Sequence, residues 1–125
     1  MNKPMTKDLA RCKDWIEAAL EHSGGTHDFW DIVESVYDGR MQLWATEKGC
    51  LVTEIIVYPK KKNINIFLGG GELEQLADMH TDVIAWAKEQ GCSSASICGR
   101  KGWVRAFKKY GWMPKYTVVT KEFDK

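Results

Sequence analysis

Three consecutive glycines, Gly69-Gly70-Gly71, separate an apolar, strand-like run from a long amphipathic stretch. Glycine lets backbone N–H groups come close to an anion. A helix beginning just beyond them adds orphan donors and a partial positive charge. Together these are the parts of a phosphate cradle. The same residues would also serve in a tight strand-to-helix turn, where glycine relieves φ strain. Glu72 and Glu74 follow at once. They favour a helix start but repel a phosphate.

Other residues have types suited to chemistry. Glu54 lies between Val52 and Ile56 in a strand alternation. Partly removed from water, its carboxylate could act as a general base for an amine. On an exposed face it is only a solvated charge. His80 falls on the apolar side of the long amphipathic stretch, which suits a satisfied core histidine better than a ligand or base. Asn65, Ser94 and Ser96 offer hydrogen-bonding groups to a ligand arm, or ordinary packing at a strand edge. Cys98 shows no His partner that would make it a nucleophile.

The stretch GRKGWVRAFKKYGW, Gly99 to Trp112, has five Lys or Arg, no acid and four aromatics. On a helix starting near 101, Lys101, Arg105, Lys108 and Lys109 share one side. Trp103, Ala106, Phe107 and Tyr110 turn towards another. With Arg100 and Lys115, the cations could attract a phosphate or a nucleic-acid backbone. A solvated basic face is the plainer reading.

The elements that must position these groups follow from periodicity. Thr6 is a fair N-cap for a first helix, with Leu9, Cys12, Ile16, Ala19 and Leu20 on one face. Ser23-Gly24-Gly25 stops it. A second helix is expected from His27 to Tyr37, burying Phe29, Ile32, Val33, Val36 and Tyr37. Strands are expected at Met41–Glu47, Cys50–Tyr58 and Asn63–Leu68, joined as an antiparallel meander. The glycines then open a helix to about Gln90, with Leu73, Leu76, Ala77, His80, Val83, Ile84 and Ala87 inward. Ser93–Cys98 reads as a strand parallel to the one before the helix. Gly102–Tyr110 reads as a helix, and Tyr116–Phe123 as a last strand. The order is ααβββαβαβ: an α/β fold, a mixed sheet with helices on both faces.

Composition sets the outer bounds. At 125 residues the chain is expected to be one domain, residues 1–125. Net charge is +1. Residues 1–58 carry six Lys/Arg against ten Asp/Glu, and residues 59–125 carry twelve against seven. That asymmetry permits an anionic ligand but is weaker than the footprint of a dedicated DNA binder. Cys12, Cys50, Cys92 and Cys98 form no CxxC pair, and the three histidines complete no zinc pattern, so no metal is expected. With no 18-residue apolar run, no membrane partner is expected. Reduced thiols point to a cytoplasmic setting, which a virus assembled in a host cytoplasm would share.

The element order and the local run Trp103-Val104-Arg105-Ala106-Phe107-Lys108-Lys109-Tyr110-Gly111-Trp112 resemble the GNAT superfamily of N-acetyltransferases. That family's late helix commonly reads as an aromatic, a few polar residues, then Gly-Phe. Val118-Val119-Thr120-Lys121 fits the strand that follows it. The resemblance implies a small, divergent GNAT-like domain in which acetyl-CoA enters a wedge between two splayed parallel strands. It also implies that the pyrophosphate rests at Gly69, Gly70 and Gly71, with Arg100 near the cofactor. Two positions depart from the family. Ile66 stands where the cradle usually has Arg or Gln. Phe107 stands where many members have the Tyr that protonates the leaving thiolate, which leaves Tyr110 or a water for that task.

Three functions are therefore expected in order. The first is an acetyl-CoA-dependent N-acyltransferase with an amine acceptor, using Glu54 as base and Tyr110 as acid. The second is a GNAT-fold protein without catalysis, acting through protein partners or self-association, as in small GNAT-like components of bacteriophage virions. The third is a nucleic-acid-binding or -modifying protein using the basic face.

Overall fold

The computed structural model describes residues 4–97 and 101–123, and only the backbone of Lys101. Helix α1 spans Leu9–Leu20 and buries Leu9, Cys12, Ile16 and Leu20. Its cap is Asp8 rather than Thr6, held at φ 77° with no capping side-chain bond. Helix α2 spans Phe29–Tyr37. Asp28 and Asp31 there exchange side-chain and backbone hydrogen bonds in a capping box, so the helix starts two residues later than periodicity suggests. Tyr37, expected inward, is 66% exposed, because the helix ends at it and the chain turns away.

The meander forms as expected. Strands β1 (Met41–Thr46), β2 (Gly49–Val57) and β3 (Lys62–Gly71) pair antiparallel in sequence order. Helix α3 (Leu73–Glu89) crosses over to β4 (Ser94–Ile97), which pairs parallel with β3. The sheet order is β1-β2-β3-β4. Helix α4 (Lys101–Phe107) runs into a 3₁₀ turn at Lys108–Tyr110. The N-terminal segment adds one bridge, Met5 to Leu43, at the free edge of β1.

Two cores share this sheet. On one face α1 and α2 pack on Met41, Leu43, Cys50, Val52 and Leu68. On the other, Leu76, Met79, Val83 and Ala87 of α3 pack on Trp44, Leu51, Ile64 and Ile66. The alternation that sorts β2 is strict, since Leu51 and Ile55 belong to the α3 side and Cys50 and Val52 to the other. Cys12 and Cys50 meet inside the first core. The hydrogen bond between them and burial hold the Cys50 thiol far above its usual value, so it stays a neutral packing group.

Two further expectations fail. The glycines do not form a turn after the third strand: they are its last three residues, with Gly69, Gly70 and Gly71 opposite Leu51, Cys50 and Gly49. The expected strand Tyr116–Phe123 is absent, and residues 112–123 run irregularly and are mostly exposed. β-propensity does not make a strand without a neighbour to pair with and a face to bury.

A buried polar chain ties β1 to β2. The Trp44 indole N–H donates to Thr53 Oγ1 at 3.0 Å, and the Thr53 hydroxyl donates to Gln42 Oε1 at 2.7 Å. Trp44 and Thr53 are fully buried. Thr53→Val keeps the shape but orphans both partners, which costs about 1–3 kcal/mol. The expected result is a lower urea midpoint at an unchanged m-value.

Candidate functional site

The site is made at the end of the described β3–β4 pairing. Among the described residues these strands pair from Asn63–Ser94 to Ile66–Ile97. Beyond that, Phe67 to Gly71 continue along β2 alone, leaving one edge of β3 without a strand among the described residues. The register also shifts here. Val52 faces Leu68 and Thr53 faces Ile66, so Phe67 is the extra residue of a β-bulge. A bulge moves every later side chain to the opposite face. That is why Leu68 joins the α1–α2 core, while Gly69 faces the α3–α4 side.

Each glycine is pressed by a neighbour. A Cβ on Gly69 would lie 2.2 Å from Cη2 of Trp103, and one on Gly70 would lie 2.7 Å from the Cβ of Trp15. Gly71 has φ +100°, and a Cβ there would meet the Lys48 carbonyl oxygen at 2.1 Å. The strand end thus passes between two tryptophans and under the β1–β2 hairpin. The Gly69–Gly71 backbone, Leu73, Leu76, Gly102 and Trp103 line a cleft of about 320 Å³.

The start of α3 closes one end of the cleft. The Glu72 N–H donates to the Lys48 carbonyl at 2.8 Å, and Gln75 Oε1 accepts from the Thr46 hydroxyl and the Lys48 N–H. Glu72 gives the helix no side-chain cap. Its carboxylate lies 3.7 Å from Lys48 Nζ, which offsets part of its charge. The first-turn N–H groups therefore point out without a capping side chain.

The remaining sequence-derived residues fall into two groups on opposite faces of the sheet. Glu54 follows Val52 by two positions, so it stands on the α1–α2 face, half-buried and opposite Asn65. Beside it runs a polar ladder. The Ser94 hydroxyl donates to Asn63 Oδ1, Asn63 Nδ2 donates to Ser96 Oγ, and the Ser96 hydroxyl donates to Asn65 Oδ1. On the α3–α4 face, Phe107 is fully buried and stacks on Trp103 at 5.4 Å. His80 sits edge-on to Phe107, Tyr110 and Trp112, its Nδ1–H donating to the Ala77 carbonyl, as a core histidine does. Tyr110 is partly exposed against the His80 ring. The structure does not bring Glu54 and Tyr110 together. Arg105, Lys108 and Lys109 are exposed, apart from the buried aromatics. Arg100 and Cys98 lie outside the described residues. Among the described residues, no three His, Cys, Asp or Glu converge as metal ligands. No helix among them is long and apolar enough to cross a membrane.

Helical spacing places Trp103 on the packing side of α4, and the structure shows that what it packs on is Gly69. A bulky aromatic one turn before Phe107, with a glycine strand end elsewhere, was the available signal. The bulge at Phe67 carried no signal, because Phe67 continues an ordinary apolar run.

No family model matches the chain, and no curated protein matches it in sequence. Solved structures match it over nearly their whole length. A GCN5-related N-acetyltransferase from Ralstonia eutropha JMP134 superposes with TM-score 0.74 at 14% identity, covering 98% of this chain and 97% of its own. A predicted acetyltransferase with acetyl-CoA from Clostridium acetobutylicum gives 0.71 at 14% identity, with 98% and 96% covered. A ribosomal-protein-alanine N-acetyltransferase from Brucella melitensis biovar Abortus 2308 gives 0.70 at 9% identity, with 98% and 99% covered. The chain has the GNAT fold.

The contact between Gly69 and Trp103 is testable by a double-mutant cycle. Alone, Gly69→Ala should destabilise by about 1–3 kcal/mol, because a packed contact is forced apart. In a Trp103→Ala background the same change should cost far less, which urea unfolding of the four proteins would measure. Equal costs in both backgrounds would show that Trp103 does not press on the strand.

Proposed function

We propose that the chain is an acyl-CoA-dependent N-acyltransferase, with acyl-CoA in the wedge between β3 and β4 and an amine acceptor on the α1–α2 face. The observation that carries this reading is the glycine end of β3. Among the described residues its edge beyond Ile66 has no strand partner, and it leads to an uncapped helix start. Such an edge offers N–H groups to a ligand arm, and the helix start offers them to a phosphate. The fit has one condition. Trp103 lies on Gly69, so its indole must swing aside for a pantetheine arm to pass.

When bound, acyl-CoA would supply an activated thioester. The chain's own part is positioning and proton handling. Backbone N–H groups near the Phe67 bulge would polarise the thioester carbonyl. Glu54, half-buried beside Asn65, would take the proton of the attacking amine. Phe107 has no proton to give. Tyr110 is the hydroxyl of that aromatic cluster, and it or a water would protonate the thiolate.

A second reading is favoured by a specific packing. Phe107 is fully buried, stacked on Trp103, which in turn fills the space over Gly69. A wedge shut by its own aromatics suits a GNAT-fold protein that works by binding partners. Fold alone does not carry chemistry.

One titration separates the two. Acetyl-CoA at about 100 times its Kd should add roughly 2.7 kcal/mol of apparent stability to the wild type. Glu54→Gln should keep that shift and lose acyl transfer to an amine by about 10²-fold or more. No shift in the wild type at millimolar acetyl-CoA, with a shift restored by Trp103→Ala, would overturn the first reading in favour of the second.

A further inference from the structure

The polar chain inside the sheet has an open end. The Trp44 indole N–H donates to Thr53 Oγ1, and the Thr53 hydroxyl donates to Gln42 Oε1 at 2.7 Å. Thr53 is fully buried, so its proton needs an acceptor. Of the two polar atoms of the Gln42 amide, only the oxygen accepts. The Gln42 NH₂ group therefore faces the other way, and it has no hydrogen-bond partner among the described residues. The Gln42 residue is only 8% exposed. Yet no side-chain N or O shut off from solvent lacks a partner among the described residues. The NH₂ group thus opens on a cavity.

That cavity is a cleft of about 680 Å³ lined by Gln42. It lies at the start of β1, where Met41 pairs with Glu54. The glycine cleft lies at the other end of the sheet, where Thr46 pairs with Gly49 and Gly49 with Gly71. Val36, Met41 and Ile55 give the larger cleft apolar walls, and Trp86 gives it a flat one. The Trp86 ring is held edge-on to buried Trp44 at 5.6 Å. Among the described residues the one charged side chain on the cleft is Lys7, and no acid lines it. Lys7 is exposed and makes no ion pair among the described residues.

We propose that this cleft is a second binding site, and that its ligand is a flat aromatic carboxylate. Each part of the ligand answers a feature of the cleft. The Gln42 NH₂ offers two N–H donors and takes a carboxylate oxygen. Accepting from Thr53 at Oε1 polarises the amide and strengthens it as a donor. Lys7 adds a positive charge at the rim, and the absence of acids on the walls leaves nothing to repel an anion. Trp86 takes an aromatic ring, and the aliphatic walls take its edges. The volume suits a two-ring acid, in the range of small-molecule sites. This inference is independent of whether the wedge binds acyl-CoA.

The test is a titration of the ¹⁵N-labelled full-length protein with 2-naphthoate at pH 8. Saturable shifts are expected at the Gln42 side-chain NH₂ and the Trp86 indole N–H, with the Gly69, Gly70 and Gly71 amides unmoved. Gln42→Glu keeps an oxygen for the Thr53 hydroxyl and replaces the donor NH₂ by a second oxygen. It should weaken 2-naphthoate at least tenfold while circular dichroism shows a folded chain. Lys7→Gln changes an exposed side chain, so it leaves the fold intact. It should weaken 2-naphthoate several-fold and leave the neutral 2-naphthamide unchanged. Unmoved Gln42 and Trp86 resonances at millimolar 2-naphthoate would overturn the proposal. So would equal affinity for 2-naphthylmethylammonium, or 2-naphthoate binding that either variant leaves unchanged.

Discussion

The close approach of β3 to its neighbours is the constraint on which the rest of the molecule depends. Gly70 meets Trp15 of α1 on one face, and Gly69 meets Trp103 of α4 on the other. Gly71 fits beneath the hairpin at Lys48 with a positive φ that side chains rarely adopt. Three residues without side chains allow helices on both faces to close on one strand end. The Phe67 bulge sets which glycine meets which tryptophan. Lengthening any of the three side chains would separate layers that the two cores hold together.

This arrangement explains why the same residues suggest two functions. A strand end stripped of side chains is open to a ligand's phosphate and arm. It is equally open to an indole. In this structure Trp103 takes that place and leaves a cleft of about 320 Å³ beside it. The cleft, the bulge and the uncapped start of α3 are what the acyl-CoA proposal rests on. The buried Phe107 and the stacked Trp103 are the features of a wedge closed by packing. The energy that holds Trp103 on Gly69 is therefore the quantity that decides between ligand and side chain.

Much of the fold was legible in the sequence, because hydrophobic period is a strong signal. The antiparallel meander, the long α3, the parallel β4 and the mixed sheet with helices on both faces follow from alternation, helical stripes and the crossover rule. The misses have local causes. The glycines read as a turn because glycine usually ends a strand; here pairing with Gly49, Cys50 and Leu51 carried the strand through them. Asp8 and Asp28 replaced the expected helix starts because capping geometry depends on backbone angles that composition does not encode. Tyr116–Phe123 has the composition of a strand but no neighbouring strand among the described residues. Around the cleft, the glycine run Gly69–Gly71 was legible as a type. Its arrangement was not, since the face each residue occupies depends on a register shift at Phe67.

The central claim is that the glycine-walled wedge is a route for acyl-CoA. The most direct measurement is a titration of the ¹⁵N-labelled protein with acetyl-CoA, followed by amide and indole resonances. The account predicts saturable shifts concentrated at Gly69, Gly70, Gly71, the first turn of α3 and the Trp103 indole N–H. Unmoved resonances at those positions, with millimolar acetyl-CoA present, would contradict it.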